Sequence, residues 1–245
     1  MKFNMDIEVE RLQHLINNAK HIVFFGGAGV STESGIKDFR SKDGLYALQS
    51  KYGVPYEVIL SHTYYKEHTD TFFKFYREFM IVTTAKPNPA HLYLAKLEGR
   101  KNLTIVTQNI DGLHQKAGSK KVLELHGSIQ RNYCERCGQF YSLEDILMQS
   151  NTPRCEKCGG VIKPDVVLYE EPLDGNTIDA TIREMEKADL LIIAGTSLAV
   201  YPAAAFIDYF NGDNIVVINK TPAPIRRKIK LEINAPVGEI FSKLY

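Results

Sequence analysis

The chain has 245 residues, 44% of them hydrophobic and 24% charged, with 30 basic side chains against 29 acidic ones. A length of this order makes one to two domains that bury roughly 70% of their unfolded surface. The net charge of +1 excludes a wholly disordered acidic or basic chain and removes the bulk electrostatic case for nucleic-acid binding.

The first ten residues carry Asp6, Glu8 and Glu10 where a secretory signal needs an apolar run, so no export segment is expected. Ile7, Leu12, Leu15 and Ile16 trace one face of a first helix. A buried strand, Ile22-Val23-Phe24-Phe25, follows and breaks into Gly26-Gly27-Ala28-Gly29, the way a parallel strand hands over to a ligand-binding turn. His62 to Met80, dense in Tyr and Phe, reads as a small helical subdomain. Lys86-Pro87-Asn88-Pro89 stops it, and His91 to Leu97 reads as a short helix. Leu103 to Val106, Leu190 to Ile193 and Ile215 to Ile218 are further strands, too short to span a bilayer. Their Ile and Val content without alternation implies burial on both faces, hence a parallel sheet covered by helices.

Four cysteines form two C-x-x-C pairs, Cys134 with Cys137 and Cys155 with Cys158. Thiolates at this spacing close a tetrahedral four-sulfur zinc shell, with Gly138 and Gly159-Gly160 easing the turns. Four protein ligands leave no open coordination position, so the metal is structural. Redox dithiols or an iron-sulfur site are the alternatives, and metal thiolates point to a reducing compartment, the cytoplasm.

Gly27-Ala28-Gly29-Val30-Ser31 suits a pyrophosphate, although a tight strand exit without ligand has the same appearance. No Gly-Lys-Ser/Thr follows, which excludes a Walker triphosphatase. A hydride-transfer enzyme needs an acidic ribose partner about 20 residues on, at a second strand end; that interval holds Asp38, Arg40 and Asp43 in loop-like sequence. Thr107-Gln108-Asn109-Ile110-Asp111-Gly112-Leu113-His114 crowds polar groups at a strand's carboxyl end, as a ligand site or as a self-satisfied turn. His126, before Gly127, is a base candidate near pH 7, or a hydrogen-bonding residue at a junction.

Taken together, Gly27 to Arg40, Thr107 to His114, His126-Gly127, the four cysteines, Gly195-Thr196-Ser197-Leu198-Ala199-Val200 and Ile218-Asn219 resemble the ordered signatures of the sirtuins, NAD-dependent protein deacylases, over about residues 8 to 243. The resemblance is closest to bacterial deacetylase-type members. It implies an α/β fold: a Rossmann-like parallel sheet domain with a smaller helical subdomain and an inserted zinc-binding module. The expected division is 1–36, 87–126 and 164–245 for the Rossmann-like domain, 37–86 for the cofactor loop and helical subdomain, and 127–163 for the zinc module.

The same resemblance implies that Gly27, Ala28, Gly29, Ser31, Thr32, Asp38, Phe39 and Arg40 form the cofactor loop, and that Gln108, Asn109, Ile110 and Asp111 surround nicotinamide and its ribose. Gly195, Thr196, Ser197 and Asn219, with Val237 as a weaker match, take the phosphate and adenosine side. His126 is implied as the catalytic base, assisted by Asn109 and Asp111. The implied reaction consumes NAD: an acyl-lysine carbonyl oxygen displaces nicotinamide from the anomeric carbon, a ribose hydroxyl deprotonated through His126 attacks the adduct, and water resolves it to lysine and 2'-O-acyl-ADP-ribose. The peptide is expected as an extended strand along Val166, Val167, Leu168 and Tyr169 on one side and Thr196 to Val200 on the other, with an apolar acyl tunnel near Phe39, Ile110 and Val167.

Lys37 replaces the usual proline of the loop, Glu170 a customary glycine, and Gly26 a frequent threonine. Relatives acting on malonyl or succinyl groups place Tyr and Arg three residues apart where this chain has Phe73 and Tyr76; Arg77 is one residue, about 100° of helix, out of register. Deacetylation is therefore expected, with longer apolar acyl groups, mono-ADP-ribosyl transfer or non-catalytic binding of NAD or ADP-ribose as alternatives. A zinc-ribbon nucleic-acid protein is the weakest reading, because the cysteine module mixes both charge signs. The expected partners are acylated lysines in extended segments, with no membrane or specific nucleic acid, and the protein is expected to be a cytoplasmic monomer.

Overall fold

The computed structural model describes residues 2–38 and 52–245. In chain order its strands are β1 (His21–Gly26), β2 (Asn102–Thr107), β3 (Val122–Glu124), β4 (Gly127–Cys134), β5 (Phe140–Ser142), β6 (Ile162–Val166), β7 (Leu190–Ala194), β8 (Ile215–Ile218) and β9 (Leu231–Ile233). A six-stranded sheet has the order β3-β2-β1-β7-β8-β9, with every neighbouring pair parallel.

The absence of alternation in the strand sequences has a direct cause. Ile22, Phe24, Ile105, Leu190, Ile192, Val216 and Ile218 enter a core under the helices Lys2–Asn18, Pro89–Glu98 and Val237–Phe241. Val23, Phe25, Val106, Leu191, Ile193 and Val217 enter a second core under Gly175–Lys187 and the 3₁₀ segment Ala203–Tyr209. Both faces are dry, so both side-chain sets are apolar. Phe24, wholly buried edge-on to Phe241, illustrates the energetic weight: truncation to Ala costs about 3–5 kcal/mol.

Two expectations shift. Val9, Leu12 and Ile16 make the buried stripe of the first helix, while Leu15 is half-buried and Ile7 is 44% exposed. The 3.6-residue period starting from Val9 excludes Ile7 from the inward face. The helix expected from His91 begins at Pro89, because the Asn88 side chain caps it and proline is tolerated at the first helical position.

Short helices Tyr56–Ile59, His62–Glu67 and Thr69–Phe75 and the π-turn Tyr76–Met80 make the aromatic subdomain. Phe72 meets Tyr65 and Phe73 edge to face, 5.0 and 5.3 Å between ring centroids. This cluster also takes in Ile129 and Leu143 from the cysteine module and Val166 and Leu168 from the segment that leaves it, so the pieces share one core. The module carries an antiparallel sheet in the order β5-β4-β6.

Strand register aligns Gly26, Thr107, Ala194 and Ile218 at the carboxyl edge of the large sheet. The chain runs outward from β1 through β2 to β3, then returns to β7 on the other side of β1 and runs outward through β8 to β9, so a topological switch point lies between β1 and β7. Ligand crevices of open α/β sheets form at that place.

Candidate active site

The residues following the aligned strand ends converge on the switch point. Gly27 N–H donates to Ala194 O at 3.1 Å and Gly29 N–H to Gly195 O at 2.8 Å, locking the first glycine turn onto the turn after β7. A Cβ on Gly29 would lie 2.7 Å from Gly195 Cα, and one on Gly195, at φ +60°, 2.4 Å from Val30 N. These two glycines are required by backbone approach. Thr196 N–H donates to Asn219 Oδ1 at 3.0 Å, and Asn219 Nδ2 returns a bond to Thr196 O at 2.9 Å.

Gln108 donates Nε2 to Thr196 Oγ1 at 3.1 Å, tying the second motif to the β7 turn. Asn109 Nδ2 donates to Gly27 O and Ser31 Oγ at 3.0 and 3.1 Å. Asp111 accepts from Ser31 Oγ at 2.7 Å and from Leu113 N–H at 2.9 Å. Burial raises the Asp111 carboxyl above the ordinary aspartate range, while both hydrogen bonds pull it down. Thr32 Oγ1 donates to Gly29 O at 3.1 Å.

His126 lies between Leu125, whose N–H binds Thr107 O, and Gly127, which starts β4. Gly127 has φ +74°, and a Cβ there would sit 1.9 Å from Asp165 O, so only glycine fits beside the imidazole. His126 Nδ1 is 2.9 Å from Gln108 O. A carbonyl only accepts, so Nδ1 bears the proton and Nε2 keeps its lone pair. Burial lowers the His126 pKa, partly offset by the Gln108 carbonyl, which keeps the ring neutral near pH 7.

The first motif from Gly27 to Ile36, the second motif, His126, the Gly195 turn and Asn219 thus occupy one sheet edge. Phe39 and Arg40 lie outside the described residues. Val237 is buried at the start of the last helix and packs in the core under the sheet, so its side chain is turned away from the sheet edge. Ile110 packs against the aromatic cluster, Ser197 is exposed, and Val200 is half-buried.

On the other side of His126, Val167 N–H donates to His126 O at 3.0 Å and Tyr169 N–H to Leu60 O at 3.0 Å. Val166 and Leu168 point into the subdomain core, while Val167 is half-buried and Tyr169 40% exposed. Glu171 anchors this segment: it accepts from Lys163 Nζ and Leu168 N–H at 3.0 and 2.9 Å, and its other oxygen meets His62 Nδ1 at 2.9 Å. Among the described residues, the two non-glycine ones with left-handed backbone, Glu170 at φ +75° and Leu198 at φ +51°, lie in the two segments expected to flank a peptide. Strain of this kind concentrates at ligand clamps.

The four cysteine sulfurs lie within 4.8 Å of one another, with Cys134 to Cys158 at 3.4 Å and Cys137 to Cys155 at 3.6 Å. Zn–S bonds of about 2.3 Å in a tetrahedron put sulfurs ~3.8 Å apart, so the set is positioned to bind zinc. N–H groups of Arg136 and Cys137 turn toward the Cys134 sulfur, and those of Lys157 and Cys158 toward Cys155. Tyr141 adds its hydroxyl to Cys155 Sγ at 3.2 Å.

Sequence reasoning did not single out two residues that hold the first turn. Glu33 accepts from Gly238 N–H, and Asn88 donates to Val30 O and Ser34 Oγ. The Asn-Pro pair at 88–89 is itself a helix-start signature, the one signal from which Asn88 was accessible.

A model described as the Sir2 family matches residues 27–202. The NAD-dependent protein deacetylase of Clostridium acetobutylicum is 52% identical over 95% of this chain and 96% of its own length. That of Clostridium tetani is 54% identical over 94% of each chain. A solved Sir2 structure with a p53 peptide and NAD+ is similar with a TM-score of 0.83 and 34% identity, covering 96% of both chains.

Proposed function

Since the chain belongs to the Sir2 family, we propose that it is an NAD-dependent protein-lysine deacetylase that moves the acetyl group of acetyl-lysine to ADP-ribose and releases nicotinamide. The observation that carries this reading is His126, neutral, with Nδ1 committed to Gln108 O and Nε2 left as a base at the edge where both glycine turns and the amide motif meet. NAD is a consumed substrate, and zinc, held by Cys134, Cys137, Cys155 and Cys158, supports the module without entering the chemistry.

In this reading Gly27, Ala28, Gly29, Ser31, Thr32 and Asp38 hold the dinucleotide's phosphates and ribose, with Phe39 and Arg40 completing the loop. Gln108, Asn109, Ile110 and Asp111 shape the nicotinamide pocket; Gly195, Thr196, Ser197, Asn219 and the Val237 backbone take the adenosine side. His126 Nε2 accepts the proton of a ribose hydroxyl, and that oxygen becomes the nucleophile toward the acyl carbon. Alignment of the acyl oxygen with the anomeric carbon supplies much of the rate, because nicotinamide leaves neutral from a cationic ring.

The peptide lies between Val166–Tyr169 and Thr196–Val200. Backbone pairing there demands little of the peptide sequence. Arg77 supports an apolar acyl preference: its Nη2 donates to Asn151 O at 2.7 Å, which commits the guanidinium to the cysteine module. Thiolate ligands favour the reducing cytoplasm, where a monomer would act on extended acetylated segments. Among the described residues no helix is long and apolar enough to cross a membrane.

The test is incubation with NAD and a panel of acyl-lysine peptides, with both products weighed by mass spectrometry. Acetyl-ADP-ribose and free lysine in equal amounts support the reading. ADP-ribose bound to protein as the main product would replace it with ADP-ribosyl transfer, and NAD binding without nicotinamide release with a binding module.

A further inference from the structure

The first glycine turn is gripped on two sides, and only one grip belongs to the proposed pocket. On the pocket side Asn109 and Asp111 bind Gly27 and Ser31. On the far side the buried Asn88 carboxamide donates Nδ2 to Val30 O at 2.7 Å and to Ser34 Oγ at 3.0 Å. Its Oδ1 accepts from Ala90 N–H at 3.0 Å, capping the Pro89–Glu98 helix. The amide orientation follows from these partners, because a flipped group would set donor against donor at Ala90 and acceptor against acceptor at Val30.

Asn88 is itself oriented. Its N–H donates to His91 Nδ1 at 3.3 Å, and His91 is fully buried. The His91 ring packs on His114, with centroids 4.7 Å apart, and His114 ends the segment that supplies Asn109 and Asp111. The two grips are thus joined through a pair of buried imidazoles behind the turn. Val30 and Ser34 belong to the two successive 3₁₀ pieces, Ala28–Val30 and Thr32–Ser34, so one carboxamide fixes the curvature between them.

We propose that Asn88 is a positioning residue for NAD, presenting the turn's backbone to the dinucleotide, and that His91 holds Asn88 in the required orientation. The proposal rests on the reading of residues 27–38 as the cofactor turn. Neither side chain needs to touch NAD. The turn is short and its Gly27, Gly29, Val30 and Ser31 N–H groups are already committed to backbone carbonyls, so a loosened far grip is felt as weaker dinucleotide binding before it is felt in peptide binding.

The experiment compares wild type with Asn88→Asp, Asn88→Ala, His91→Asn and His91→Phe, measuring NAD affinity by calorimetry, KM for NAD and for acetyl-peptide, and melting temperature. Asn88→Asp keeps an oxygen for Ala90 N–H but opposes an acceptor to Val30 O. Its KM for NAD should rise about tenfold while the acetyl-peptide KM stays within about twofold. His91→Phe should act likewise. His91→Asn, whose Oδ1 reaches the place of Nδ1, should recover most of the NAD affinity. NAD affinity unchanged in Asn88→Asp and His91→Phe, or lost in equal proportion with peptide affinity and melting temperature, would make the grip merely structural and overturn the proposal. Failure of the wild-type protein to bind NAD would instead overturn the reading of the turn, and the proposal with it.

Discussion

His126 donates Nδ1–H to Gln108 O across 2.9 Å, and the same Gln108 reaches Thr196 with its side chain, so one residue sets the base's tautomer and joins two strand ends. Removal of the imidazole should leave fold and zinc intact while deacetylation falls about 10²- to 10⁴-fold in His126→Ala. Burial lowers the folded pKa of His126, so the neutral base survives to lower pH than a free imidazole. The acid limb of kcat/KM for NAD should therefore lie below about pH 6.5. Acetyl-ADP-ribose formation followed by mass across pH 5 to 9 checks both; near-normal turnover in His126→Ala would remove the assignment.

Ser31 and Asp111, 80 positions apart, meet at 2.7 Å. Ser31→Ala leaves a buried carboxylate with one fewer donor, and a hydrogen bond to a charged group is worth about 1.5–3 kcal/mol. NAD affinity should fall roughly 10- to 100-fold. Asp111 is already raised by burial and held down partly by Ser31, so its pKa should climb further and the loss should deepen toward acid. An unchanged NAD affinity and pH profile in Ser31→Ala would show that this pair does not shape the pocket.

The strands and the cysteine cluster were readable because their signals are local. Runs such as Ile215 to Ile218 need dry surroundings on both faces, and two C-x-x-C pairs specify a four-sulfur shell whatever their surroundings. The edge strands β3 and β9 were not readable, since three residues contain no period and pairing with β2 and β8 decides them. The same limit hid the far side of the first glycine turn. Lys86-Pro87-Asn88-Pro89 reads as a stop, and nothing local says that Asn88 will reach Val30, 58 positions back. Glu33 lies inside the first signature, yet nothing local says that it will anchor Gly238 across 205 positions. The motifs did bring Gly27, Gln108, Asn109, His126 and Thr196 to one sheet edge, because family likeness carries long-range geometry that composition and spacing lack.

The buried pair His91 and His114 should make the fold acid-sensitive. Burial lowers His91 to about 4 and, with help from the neighbouring His91, lowers His114 to about 3. The unfolded chain takes up these protons near pH 6.5. Stability should thus fall from about pH 6.5 down toward about 4, where the folded state begins to accept them. At full expression the pair amounts to several kcal/mol, on the order of 1.4 per pH unit of displacement. Glu184, held to about 2 against burial by Lys121, Thr104 and His21, acts in a lower window, losing its contribution as pH falls from about 4.5 toward 2. Denaturant melts at pH 7 and 5 should show a smaller difference in a His91→Asn/His114→Gln double variant than in wild type; an equal difference would exclude the pair as the source.

Zinc loss should be felt outside the cysteine module. Ile129, Leu143, Val166 and Leu168 join the aromatic subdomain's core, and Val167 N–H binds His126 O, so a loosened module disturbs both the subdomain and the base. Cys155→Ser should release the metal and lower the melting temperature by roughly 5–10 °C, taking about 2–4 °C per kcal/mol for a chain of this size. A chelator acting on wild type should lower it in the same direction, with loss of activity following metal loss. Elemental analysis beside a melting curve decides it: full zinc occupancy and an unshifted melt in Cys155→Ser would deny the ligand role.

Glu170 occupies left-handed backbone where glycine would be unstrained, and its Oε2 accepts from both Thr63 N–H at 2.9 Å and Thr63 Oγ1 at 2.7 Å. These bonds hold the carboxyl below the ordinary glutamate range, which means it is charged at neutral pH, at the turn beside the proposed peptide strand. Its stabilising share is present above about pH 4.5 and lost as pH falls through the folded value. The glycine and alanine variants separate strain from bonding. Glu170→Gly loses the two bonds but relieves the backbone, so its melting temperature should stay near wild type. Glu170→Ala loses the bonds and keeps the strain, so it should melt lowest of the three. Both variants should lower kcat/KM for acetyl-peptides flanked by arginine more than for peptides flanked by glutamate, with the difference shrinking at high salt. If alanine and glycine melt alike, the left-handed backbone stores no strain at this position; if the peptide pairs respond alike, the carboxylate does not reach the substrate's charge.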